Sequence, residues 1–179
     1  MNNKDLINIS KYFSYLLRHK PEEIGLKLDS EGWAETEELI AKTTKYNLTN
    51  EIIDIVVETN DKQRFKLSED KKKIKANQGH SIDVDLNLDA LEPPETLLHG
   101  TAERFVESIF LKGLQKQKRH HVHLSESIAV AKAVGCRYGK LVLLKIESKK
   151  MNNNGFKFYK TENNVWLVDS VPVEYLTKI

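Results

Sequence analysis

The apolar positions follow two different rhythms along the chain. Early on, Ile9, Tyr12, Phe13, Leu16 and Leu17 recur at spacings of three and four, the period that places side chains on one face of an α-helix. Ser10 is the candidate N-cap of this helix and Pro21 ends it, which puts Arg18 and His19 in its last turn. A second helix is expected from about Thr36, using Leu39 and Ile40. A third is expected from about Thr49, burying Ile52, Ile53, Ile55 and Val56. Two short strands follow at 64–67 and 73–76, joined by the turn-forming Ser68-Glu69-Asp70-Lys71.

Later the rhythm shortens. Strands are expected at 95–99, 120–124, 141–146, 156–159 and 165–168, with helices at 102–111 and 126–134 between the early ones and Asn163-Asn164 turning the last hairpin. Three helices and a hairpin describe a winged-helix lobe. The strand-rich ending argues for an α+β lobe rather than a doubly wound parallel sheet. Between them, Gln78-Gly79-His80-Ser81 leads through a turn-rich stretch to Pro93-Pro94. We therefore expect one domain over 1–92, including a linker from about 78, and another over 93–179.

Charge sharpens this division. The 179 residues carry 28 Lys and Arg against 26 Asp and Glu, a net +2 that excludes a polycationic nucleic-acid coat or an acidic disordered tail. Residues 1–92 are net −4 and residues 93–179 net +6. Apolar runs such as Leu141-Val142-Leu143-Leu144 fall well short of the roughly 18 residues of a membrane span. The opening Met-Asn-Asn-Lys-Asp leads into no signal-peptide core, so the cytoplasm is the expected compartment. A single cysteine, Cys136, excludes an internal disulfide and any Cys-pair site, and it is expected to be buried, as are Trp33 and Trp166. The glycine spacing permits neither a Gly-x-Gly-x-x-Gly turn nor a Walker loop.

Several residues could carry chemistry, each with an ordinary alternative. On a strand, Arg119, His121, His123 and Ser125 would line one polar face while Val122 and Leu124 face the other. That row could receive an anion or be the solvated face of an edge strand, and His121-x-His123 leaves a zinc site as a third option, though no acidic ligand follows. Arg18 and His19 could bind a ligand or complement the helix macrodipole. Arg64, entering a strand after a turn, says nothing by itself. In His99-Gly100-Thr101 the glycine could admit a ligand to the backbone and the threonine could cap the next helix, or the segment could be an ordinary strand-to-helix turn.

Taken in order, the segments match a known pattern. They are Ser10-Lys11-Tyr12-Phe13-Ser14-Tyr15-Leu16-Leu17-Arg18-His19-Lys20-Pro21-Glu22, Ile24-Gly25-Leu26, Gly32-Trp33, Gln63-Arg64-Phe65, Gln78-Gly79-His80-Ser81, Leu98-His99-Gly100-Thr101, His121-Val122-His123-Leu124-Ser125 and Asn164-Val165-Trp166-Leu167. With these separations, over nearly the whole chain, the sequence resembles the NAD-dependent RNA 2'-phosphotransferase family. That resemblance implies an N-terminal winged-helix lobe and a C-terminal ADP-ribosyltransferase-like lobe, with the active site in the cleft between them. It implies a catalytic set of Arg18, His19, Arg64 and Arg119, and an NAD-binding signature on His99, Gly100, Thr101, His123 and Ser125, with no metal. Two positions depart from the family pattern: Tyr138 where His is usual, and Lys75 where Arg is more common.

The activity so implied is NAD-dependent removal of an internal 2'-phosphate from a tRNA-like RNA. The RNA phosphate attacks the nicotinamide-bearing ribose carbon of NAD, and the ADP-ribosylated RNA phosphate then resolves to 2'-hydroxyl RNA and ADP-ribose 1'',2''-cyclic phosphate. A monomer is the expected state. The chief alternative is an ADP-ribosyltransferase acting on terminal nucleic-acid phosphates or on protein. A non-catalytic winged-helix binder is disfavoured by the weak net charge and by the acidic, apolar start of the third helix, Glu51-Ile52-Ile53-Asp54.

Overall fold

The computed structural model describes residues 3–179, and the chain divides into two compact units between Asn87 and Leu88. In the first, helix α1 (Asn3–Arg18) buries Ile9, Phe13, Leu16 and Leu17 completely, as their spacing requires. Phe13 meets Phe65 edge to face, with centroids 5.9 Å apart. Pro21 opens a single 3-10 turn that closes on Gly25 at φ 64°. Strand β1 (Trp33–Glu35), helix α2 (Thr36–Lys42) and helix α3 (Asn50–Glu58) follow. Thr49 caps α3, its hydroxyl accepting from the Ile52 amide. Strands β2 (Phe65–Leu67) and β3 (Lys73–Ala76) form the expected hairpin, and β1 adds to it in the antiparallel order β1-β3-β2.

The first unit departs from the sequence expectations at four points. Ser10 is not an N-cap: α1 starts earlier, and Ser10 is buried inside the helix, facing Asn60. Strand β1 was not foreseen from the sequence. Ile55 is exposed, because it lies about 200° around α3 from the buried Ile53. Trp33 is only half-buried, with the Lys75 ammonium 4.6 Å from its ring centroid.

The second unit runs through β4 (Ala90–Leu91), β5 (Leu97–Ala102), α4 (Val106–Lys112), β6 (Leu114–Gln115), β7 (Val122–Leu124) and α5 (Ile128–Gly135). It continues through β8 (Leu141–Ile146), α6 (Ser148–Asn153), β9 (Phe158–Lys160), β10 (Trp166–Val168), β11 (Ser170–Val171) and β12 (Leu176–Lys178). Two sheets, β4-β9-β10-β7 and β12-β8-β5, enclose a core that includes Leu97, Leu124, Leu144, Ile146, Phe158 and Trp166, and β6 pairs separately with β11. Every pairing is antiparallel, so the unit is mixed α/β and not a doubly wound parallel sheet. Leu98 and Ser125 exchange two backbone hydrogen bonds of 2.8 and 2.9 Å, which tie the neighbourhoods of β5 and β7 together.

Helix α5 rests directly on β5. A Cβ at Gly100 would lie 1.8 Å from the Ala131 carbonyl oxygen, and one at Gly135 would lie 2.9 Å from the Gly100 carbonyl carbon. The side of Gly100 that a side chain would fill is therefore taken by the helix, not left open to a ligand. Strand β5 also runs on to Ala102, so Thr101 is buried within it and does not cap the next helix, which a 3-10 turn at Glu103–Phe105 precedes. Cys136 is exposed in the turn after α5 rather than buried. Among the described residues, no helix is long and apolar enough to cross a membrane.

Candidate active site

At the C-terminal end of α1, the Arg18 carbonyl accepts from the Ser81 amide at 2.9 Å, and Ser81 Oγ lies 2.9 Å from His19 Nδ1. Gly79, at φ 87°, lets the incoming chain fold over the Arg18 side chain. The Arg18 side chain shares a pocket with Ser10, Lys11 and Ser14 of its own helix, and Nη2 donates to the Arg64 carbonyl at 3.4 Å. A tie to a second segment therefore joins the helix dipole in setting its position. Arg64 immediately precedes β2. Its amide and its Nη1 both donate to Asn60 Oδ1, at 3.3 and 3.4 Å, and Asn60 Nδ2 donates to the buried Ser10 hydroxyl at 2.8 Å. Arg18 and Arg64, with Ser10, Ser14, Lys11 and Asn60, line one pocket of about 310 Å³.

The second unit gathers another group. Arg119 does not head a strand: it is exposed in a turn closed by its own amide on the Lys116 carbonyl at 3.0 Å, and β7 begins only at Val122. The alternation expected beyond it does hold, with Val122 and Leu124 buried and His121, His123 and Ser125 on the other face. The Arg119 guanidinium reaches back to that face, Nη1 donating to His123 Nδ1 at 2.7 Å. A guanidinium can only donate, so this imidazole nitrogen is an acceptor. The His123 carbonyl in turn accepts from His99 Nδ1 at 3.0 Å. Burial lowers the His99 pKa from its ordinary value, the nearby Arg119 charge lowers it further, and the hydrogen bond to His123 opposes both. His99 is thus held neutral, with Nδ1–H committed and a lone pair left on Nε2.

Other signature residues have structural duties. Ser125 Oγ accepts from the Ser127 amide at 3.0 Å, shaping the entry to α5, where Ser127 is the N-cap. His121 packs edge-on against Tyr159 at 5.6 Å, and burial lowers its pKa. With His123 Nδ1 engaged by Arg119, the pair is not poised as metal ligands, and among the described residues no cluster of His, Cys, Asp or Glu could hold a metal ion. Asn60 and Ser81 were not singled out from the sequence. Ser81 stood in a quoted segment and Asn60 in what read as a plain turn, although an Asn opening a turn is a signal for side-chain capture of nearby backbone.

Two arginines line one pocket of the first unit, and in the second a third is hydrogen-bonded to His123, whose carbonyl holds His99; such a donor-rich pattern has the chemistry of an anion-binding protein. Comparison places it within that class. The chain belongs to the RNA 2'-phosphotransferase, Tpt1 / KptA family, whose model matches residues 4–170. Relatives named probable RNA 2'-phosphotransferase are similar over almost their whole length. One from Pseudomonas fluorescens is 52% identical over 98% of both chains, one from Acaryochloris marina 52% over 99% of both, and one from Flavobacterium johnsoniae 53% over 98% of both.

Proposed function

We propose that this RNA 2'-phosphotransferase removes an internal 2'-phosphate from a tRNA-like RNA with NAD as co-substrate. The reaction passes through an ADP-ribosylated RNA phosphate and yields 2'-hydroxyl RNA, nicotinamide and ADP-ribose 1'',2''-cyclic phosphate. The observation that carries this reading is the convergence of Arg18 and Arg64, from separate segments, on one pocket; His19 does not line it and is held by Ser81 instead. In this reading the first unit, three helices and a three-stranded antiparallel sheet, is the winged-helix lobe that holds RNA. The second is the ADP-ribosyltransferase-like lobe.

A 2'-phosphate is already an anion and needs no general base to attack; the task is to hold it in line. Arginine forks bind two oxygens in fixed geometry and stay charged at any relevant pH, and we assign Arg18 and Arg64 to this grip. When bound, NAD supplies the ribose carbon that accepts the phosphate and nicotinamide as leaving group. The second unit's residues fit such a ligand: neutral His99 offers Nε2 to a ribose hydroxyl, and Arg119 and His123 add a donor set suited to an anion. Arg119 serves chiefly the first step, and His19, aligned by Ser81, could move a proton in the second. Gly100 contributes by seating α5, and Thr101 and Ser125 by shaping the backbone around His99.

The test is nicotinamide release on mixing the protein with NAD and an oligonucleotide carrying one internal 2'-phosphate. Release that requires that phosphate supports the reading, whereas release with terminally phosphorylated RNA alone supports the alternative acceptor. Arg119→Ala should lower turnover about 100- to 1000-fold with no change in melting temperature, since the side chain is exposed. Normal turnover by this variant removes Arg119 from the site.

A further inference from the structure

We infer that Asn60 is the positioning residue for Arg64. Asn60 is buried, at 8% exposure, yet it belongs to no regular element, lying after the end of α3. Its carboxamide is used at both ends: Oδ1 accepts from the Arg64 amide and from Arg64 Nη1, while Nδ2 donates to Ser10 Oγ inside α1. Its own carbonyl accepts from the Gln63 amide at 2.8 Å, closing the turn that delivers Arg64. Gln63 sits at φ 42°, a left-handed conformation that a non-glycine residue adopts only where its surroundings impose it.

A side-chain amide that holds both the backbone and the guanidinium of one arginine fixes the direction of the fork as well as its location. The anchor for that amide is a helix whose last residue is Arg18. Ser10, Asn60 and Arg64 therefore form a brace that sets Arg64 against Arg18 in the same pocket. Only Asn or Asp has the reach and the acceptor for this. Asp would place a carboxylate on the guanidinium and cancel the charge meant for the substrate phosphate.

The catalytic consequence rests on the reading given under Proposed function, so the experiment has one readout independent of activity. In full-length protein labelled with ¹⁵N-arginine, the Arg64 guanidinium should give restricted, separately resolved Nη signals. Asn60→Ala should average them, while the melting temperature and the remaining arginine signals report whether the fold persists. In the nicotinamide-release assay, Asn60→Ala should lower turnover about 10- to 100-fold, with the same division between kcat and KM as Arg64→Ala. It should add less than about threefold in an Arg64→Ala background, because residues acting through one another are not additive. Should Asn60→Ala fail to fold, Asn60→Asp keeps the acceptor and should raise KM for RNA about tenfold. Unaltered Arg64 signals in the folded variant, or a full extra loss in the Arg64→Ala background, would overturn the inference. Altered signals in a protein whose parent releases no nicotinamide would uphold the brace and count against the proposed reaction instead.

Discussion

Arginine and histidine do different work here because one cannot lose its charge and the other can. His99 and His121 both sit below their ordinary pKa, in each case chiefly through burial. At His99, Arg119 adds to the effect; at His121, His120 and Lys116 add to it against Asp169. A depressed imidazole binds fewer protons folded than unfolded, so stability falls as pH drops below the ordinary value near ~6.5 and continues to fall until the folded-state value is passed. Melting temperature should therefore decline from about pH 7.5 to about pH 5, and decline less in His99→Gln and in His121→Gln. Equal declines in parent and variants contradict this. Residue type and placement marked these imidazoles, Arg18 and Arg119 as candidates, whereas Arg64 said nothing by itself and entered only through the family resemblance. The sequence did not mark Asn60, whose importance comes from what lies across the fold from it: Ser10 is fifty positions away and meets it only once α1 and the loop after α3 are packed.

At the scale of elements, the long periodic segments were legible and several of the short ones were not. The α1 stripe, strand β8 and the Lys73–Ala76 strand follow directly from spacing. Strands β1, β4, β6, β11 and β12, of two or three residues each, were not foreseen, whereas the equally short β2, β7, β9 and β10 were, because longer alternating or turn-bounded runs surround them. Gly100 shows how one residue type can be read two ways. Its freedom serves the contact of α5 with β5, and backbone atoms cannot move aside as a flexible side chain would. Gly100→Ala should destabilise the protein by about 3 kcal/mol, measured by chemical denaturation. Gly155→Ala, strained at φ 92° but with open space around it, should cost only about 1 kcal/mol. A Gly100→Ala protein as stable as its parent contradicts the close packing of helix on strand.

At the scale of the whole molecule, the family model covers residues 4–170 and relatives align over nearly their full length, so the two units travel together. The first 92 residues are net −4 although they hold Arg18 and Arg64, so the proposed grip on phosphate relies on a few fixed guanidinium groups rather than on a broad basic surface. The most direct test of that chemistry follows the phosphorus atom. An RNA carrying ³²P only in its internal 2'-phosphate, incubated with the protein and NAD, should lose the label to ADP-ribose 1'',2''-cyclic phosphate as 2'-hydroxyl RNA accumulates. Label released as inorganic phosphate, or label that stays in the RNA while NAD is consumed, would contradict the account.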